Sequence, residues 1–280
     1  MRKKSPLPAS TLSSPWFFFL LTFAWTWGFW VPTALSGRGV TTTLGAMGFA
    51  LGGFGPMLAG IGCSYANRGT AGWREYWERV IDPRRIEVPW FAVILLFIPL
   101  LTALAASLDI FSGGSGAAWE PAAAQFALQP AAIIPFALYL FFAGPFVEEL
   151  GWRGYVLDRL LTRWNALMSS LILGVIWALW HLPLFFIQGT YQYNQGLLSQ
   201  SFWLFAANII SSAVLITWIF NNNQRSTLAA MLFHFMVNLT GELIAATPRT
   251  DVYATVLWVL AAGIVIAVWG TKTLVRTPLR

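Results

Sequence analysis

The chain has 280 residues, 57% of them hydrophobic and only 10% charged, against about a quarter charged in soluble domains, which excludes a soluble globular protein. Its net charge of +6 is scattered between apolar runs and forms no stripe, which excludes nucleic acid as a partner. The single cysteine, Cys63, has no mate for an internal disulfide, and the 16 tryptophans suit rings that settle at membrane interfaces.

A spanning helix needs about 20 mostly apolar residues. Runs of that kind fall at roughly 15–35, 42–65, 89–109, 131–157, 166–187, 201–220, 227–247 and 252–271. The expected fold is all-α, a single integral domain with about eight spanning helices. Arg2, Lys3 and Lys4 before the first run resemble the start of a signal peptide, yet removal would delete a helix that the charge pattern requires, so the first helix is expected to be retained. Within 67–88, Trp73, Trp77 and Val80 share a helical face, with Arg74, Glu75, Glu78 and Arg79 on the remainder. This predicts an amphipathic segment lying along the membrane surface. Residues 110–130, rich in Gly, Ala and Ser and free of basic residues, read as the longest external loop. With eight spans, fifteen of the seventeen Lys and Arg, among them Arg280, fall on the side of the two chain ends, leaving Arg38 and Arg249 opposite. The positive-inside rule then places both termini in the cytoplasm, as for a multi-pass protein of a bacterial or archaeal cytoplasmic membrane.

Ionisable groups inside spans are costly unless paired or hydrated, and mark function by default. Glu148, Glu149 and Arg153 fall in the fourth span, His181 in the fifth, and His234, Asn238 and Glu242 in the seventh; the two histidines are the only ones in the chain. Glu149 and Arg153 are four residues apart and meet on one helical face, while Glu148 is turned about 100° away. Counted from a turn near Trp164 and Asn165, Glu148 and His181 each lie about 25 Å along antiparallel helices and come level. His234 and Asn238 fall about 10 to 20 Å into theirs, shallower by this count. A carboxylate beside a histidine can activate water, and a second histidine with an amide can support the oxyanion formed on a carbonyl. A metal site of His181, His234 and Glu148, with zinc as the ion, is the other arrangement these residue types allow. The alternative to hydrolysis is a membrane transporter or proton-coupled peptide-binding protein that uses the same cluster.

The ordered set Glu148-Glu149-x-x-x-Arg153, an aromatic residue four before His181, and His234-x-x-x-Asn238 resembles the three motifs of the CAAX prenyl protease and bacteriocin-processing (CPBP, or Abi) family of intramembrane proteases. The resemblance spans about 130–245. It implies an endopeptidase of metallo- or glutamate type in which Glu148 and His181 activate water, His234 and Asn238 support the oxyanion, and Glu149 with Arg153 shape the site. The partners it implies are a membrane-associated peptide or protein, lipidated or not, and the bilayer. One departure stands out: the second motif of the family begins with Phe, whereas this chain has Trp177, read here as a packing residue.

Overall fold

The computed structural model describes residues 13–276; Arg2, Lys3, Lys4 and Arg280, which entered the charge argument, lie outside the described residues. Seven helical segments are long and apolar enough to cross a bilayer: Pro15–Leu35, Thr43–Asn67, Val88–Phe111, Pro130–Leu161, Ala166–Phe186, Gln200–Asn222 and Pro248–Trp269. An eighth apolar helix, Thr227–Leu243, is shorter at 17 residues, about 25 Å at 1.5 Å per residue. The eight expected runs correspond to these seven and the short one. The protein is an integral, multi-pass helical bundle.

In chain order the helices are α1 (Pro15–Leu35), α2 (Thr43–Gly53), α3 (Gly55–Ile81), α4 (Val88–Phe111), α5 (Pro121–Leu128), α6 (Ile133–Phe141), α7 (Val147–Gly151), α8 (Leu157–Leu161), α9 (Ala166–Trp180), α10 (Tyr191–Gln195), α11 (Gln200–Asn222), α12 (Thr227–Leu243) and α13 (Pro248–Trp269). Local sequence sets many of the boundaries. Asn165, Ser199, Ser226 and Thr247 cap α9, α11, α12 and α13 by accepting the N–H groups of Met168, Phe202, Ala229 and Thr250, which satisfies donors that a helix start leaves free. The turn placed at Trp164 and Asn165 by residue counting is where α9 begins.

Two features differ from the sequence reading. The seventh run was expected to stay helical to 247, but α12 ends at Leu243 and residues Ile244–Ala246 form a strand, β2, antiparallel to β1 (Ala117–Trp119) in the long loop. Trp119 pairs with Ile244 and Ala117 with Ala246. The segment expected along the membrane surface is the continuation of α3, and its Arg79 is fully buried where the helical wheel had put it on the polar face. Its guanidinium is drawn inward by Asp158, 2.8 Å from Nη1. Asp158 is itself buried between Arg79 and Arg225.

The core that carries the site is aromatic. Trp152 packs edge-on to Phe18 and Trp180, with ring centroids 5.6 and 5.9 Å away, and Trp180 lies 4.6 Å from Trp30. The indole nitrogens of Trp30 and Trp180 are satisfied inside the bundle, Trp30 by donating to the Phe49 carbonyl at 2.8 Å. Trp180 donates to Thr26 Oγ1 at 2.9 Å, and Thr26 in turn donates to the Gly52 carbonyl at 2.8 Å. In a low-dielectric setting such closed chains fix one arrangement of the helices.

Candidate active site

The fourth span is not one regular helix. Pro145 has no N–H to offer the preceding turn, and the helix widens into a π-turn over Phe142–Phe146; a second π-turn runs over Trp152–Val156. Each such turn inserts a residue and re-aims the side chains around it, which is why π-turns gather at functional sites. Between the two lies α7, which carries Glu148 and Glu149.

Helix α3 holds this irregular stretch. Tyr76 Oη donates to the Leu150 carbonyl at 2.9 Å, and Arg79 Nη2 donates to the Gly154 carbonyl at 2.7 Å. Both carbonyls belong to the second π-turn or the residue pair before it, where regular ladder bonds are disturbed. The backbones also approach closely: a Cβ on Gly60 would lie 2.7 Å from the Leu150 carbonyl oxygen, and one on Gly151 would collide with the Pro56 carbonyl. Small residues permit such helix contacts in membranes.

Glu149, fully buried, is the centre of one half of the site. Its Oε1 accepts from Arg153 Nη1 at 2.8 Å and lies 3.0 Å from His234 Nδ1. A carboxylate only accepts, so His234 Nδ1 carries a hydrogen in this contact. The pairing of Glu149 with Arg153 is as the spacing predicts. Arg153 is also fully buried; its Nε and Nη2 find no protein acceptor, and its guanidinium lies 5.1 Å over the Trp177 ring.

Glu148 faces the other half. Its Oε2 accepts from Trp177 Nε1 at 2.7 Å, and the Trp177 carbonyl accepts from His181 Nδ1 at 2.8 Å. A carbonyl cannot donate, so His181 carries its hydrogen on Nδ1 and leaves Nε2 with a free lone pair. His181 sits where α9 gives way to a 3-10 turn, Leu182–Phe186, begun by Pro183, and its ring is wedged edge-on between Trp180 and Phe205 at 4.7 and 5.4 Å. The Trp177 ring meets the His234 ring edge-on at 5.1 Å.

Glu148, Glu149, Arg153, His181 and His234 therefore meet through Trp177 and Glu149, at one level of the bundle. His234 is not shallower than the glutamates, as residue counting had it. The π-turns alter the rise of the fourth span, and uniform 1.5 Å steps do not apply across them. Asn238, one turn beyond His234, lies against the first π-turn: a Cβ on Gly144 would be 3.1 Å from its Nδ2. Glu242, third on that stripe, is exposed near the end of α12 and two turns beyond His234.

Sequence reasoning missed the polar role of Trp177, because an aromatic residue in an apolar helix signals packing. It also missed Asp109, fully buried at the far end of α4. Asp109 accepts from Gly116 N, Thr247 and Thr250 at 2.9, 3.0 and 2.9 Å and is ion-paired with Arg249. The signal was present in Arg249, one of two basic residues on that side, which needed a partner.

Among the described residues, no three His, Cys, Asp or Glu side chains are gathered so as to hold a metal ion. His181 and His234 each have Nδ1 engaged, as histidine ligands do, and Glu148 Oε2 accepts from Trp177.

Residues 130–240 match the family model of type II CAAX prenyl endopeptidases, Rce1-like. The chain is 33% identical over 198 residues to CAAX prenyl protease 2 of Methanococcus maripaludis, an alignment that takes in 69% of this chain and 71% of that relative. The family match takes in Glu148, Glu149, Arg153, His181, His234 and Asn238 and ends before Glu242.

Proposed function

Because the chain belongs to the CPBP family of intramembrane endopeptidases, within it resembling the CAAX prenyl proteases, we propose that it cleaves a peptide bond of a membrane-associated protein or peptide by a glutamate-activated water. The observation that carries this reading is the joining of Glu148, His181, Glu149 and His234 in one buried cluster through Trp177 and the Glu149 carboxylate. Glu148 takes a proton from water, and the lone pair on His181 Nε2 orients the second water hydrogen. The hydroxide equivalent adds to the peptide carbonyl. His234, held by Glu149 at Nδ1, turns Nε2 to the oxyanion, and Asn238 Nδ2 donates beside it. Collapse of the tetrahedral intermediate breaks the C–N bond as Glu148 returns the proton to the leaving amine. Arg153 pairs with the second carboxylate, that of Glu149, and offsets its charge in an apolar setting.

The substrate proposed is a peptide presented at the membrane, prenylated or otherwise lipid-anchored, as the name of the archaeal relative suggests. Cleavage of a farnesylated peptide ending in a CAAX sequence by the reconstituted protein, abolished in Glu148→Gln and His181→Ala, is the expected result. Comparison of membrane peptidomes from cells carrying the parent or Glu148→Gln extends the search to other peptides. Parent and variant profiles that coincide, with no cleavage in vitro, would refute the hydrolase. Retained activity after exhaustive chelation, with no metal in the purified protein, supports the glutamate mechanism over a zinc one; activity restored only by added zinc overturns it.

A further inference from the structure

Trp177 touches four of the cluster residues, Glu148, His181, Arg153 and His234. Its indole N–H reaches Glu148 Oε2 at 2.7 Å, its carbonyl fixes the His181 tautomer at 2.8 Å, Arg153 covers its ring at 5.1 Å, and the His234 ring meets it at 5.1 Å and 78°. The side chain is 4% exposed and flanked by a guanidinium and two imidazoles, so the ring has no room to turn. A donor held this way keeps its direction through the reaction.

The chemistry of that donor matters as much as its place. An indole N–H donates only and cannot take up a proton. It therefore binds one carboxylate oxygen without competing for the proton drawn from water. A hydroxyl or imidazole in the same position would add a second proton path.

We propose that Trp177 is a positioning residue for the hydrolysis: its indole N–H anchors Oε2 of Glu148, leaving Oε1 as the oxygen that takes the proton from water and returns it to the leaving amine. This rests on the reading of Glu148 as the base. Phenylalanine at this position keeps an aromatic ring and removes the N–H together with part of the indole's bulk, whereas benzothienylalanine keeps the bicyclic shape and removes the N–H alone.

The test compares the parent, Trp177→Phe, Trp177→Leu and Glu148→Gln, reconstituted in lipid, on the farnesylated CAAX peptide. Trp177→Phe is expected to lower kcat about 10-fold, the scale of losing one hydrogen bond to a carboxylate, with KM within about twofold and an unchanged unfolding midpoint. Replacement of Trp177 by benzothienylalanine, which keeps the bicyclic shape and exchanges N–H for sulfur, is expected to lower kcat to the same degree, and it serves where the smaller ring loosens the fold. Parent-like kcat in both analogues, with loss only in Trp177→Leu, overturns the proposal and leaves Trp177 as packing. Loss of kcat in the analogues together with a rise in KM and a fall in the midpoint overturns it as well, since that is general disruption. An active Glu148→Gln refutes the reading of the site itself and takes the proposal with it, an outcome distinct from an inactive Glu148→Gln beside a parent-like Trp177→Phe.

Discussion

Arg79 and Arg74 are five residues apart on the same helix, both in ion pairs, and they should behave very differently when removed. The Arg79–Asp158 pair has side chains 0% and 3% exposed, and Arg79 also supplies the Gly154 carbonyl with a 2.7 Å hydrogen bond. Removing one partner of a buried pair costs about 3–5 kcal/mol. Because Asp158 keeps Arg225, Arg79→Met should fall at the low end, about 3 kcal/mol. At roughly 2–3 °C per kcal/mol for a chain of this size, the unfolding midpoint in lipid or mild detergent should drop by about 6–9 °C. The Arg74–Glu78 pair has side chains 83% and 42% exposed, and an exposed pair at this spacing is worth only about 0.3–0.5 kcal/mol, so Arg74→Ala should move the midpoint by less than about 2 °C. The double variant Arg79→Met/Asp158→Leu, which buries no unpaired charge, should recover most of the loss. Equal shifts for Arg74→Ala and Arg79→Met, or a double variant worse than either single one, would show the assignment of energy to this pair to be wrong.

Gly151→Ala places a Cβ against the Pro56 carbonyl and is expected to lower both the midpoint and kcat, as strain at a helix crossing moves the segment bearing the glutamates; a parent-like kcat counts against the close crossing. Glu149→Gln removes the charge shared by Arg153 and His234 and should reduce kcat by about 100-fold or more, measured against the same peptide. Asp109→Ala leaves the Gly116 N–H without its acceptor and Arg249 without its carboxylate, so it should cost about 2–4 kcal/mol of stability, read by thermal unfolding, while kcat per folded molecule holds. A parallel loss of kcat there would tie the far end of α4 to the chemistry.

Much of this was legible from residue types and spacing. Apolar run lengths located the spans within a few residues, since the bilayer imposes a fixed length. The i, i+4 relation of Glu149 and Arg153 gave their ion pair, and the cost of burying polar groups picked out His181, His234 and Asn238. What stayed hidden depends on departures from a regular helix or on contacts between distant segments. The two π-turns have no strong local sequence code beyond Pro145, and the contact of His234 with Glu149 joins residues 85 positions apart. Arg79 looked like a surface residue because its partner, Asp158, lies 79 positions away. Trp177 looked apolar because its one polar atom shows its use only when Glu148 is placed beside it.

The interrupted ladder of the fourth span has a further consequence for how the protein meets membranes of unequal thickness. A continuous helix transmits a change of tilt along its whole length, and bilayers impose such changes through mismatch. Here α6 and the stretch before it lie on the far side of the first π-turn from α7, while α3 fastens the backbone just after the glutamates through Tyr76 and Arg79. The π-turn thus divides the span in two: α6, on one side, packs on α12 through Phe141 and Phe235, and the portion bearing the glutamates is splinted to α3.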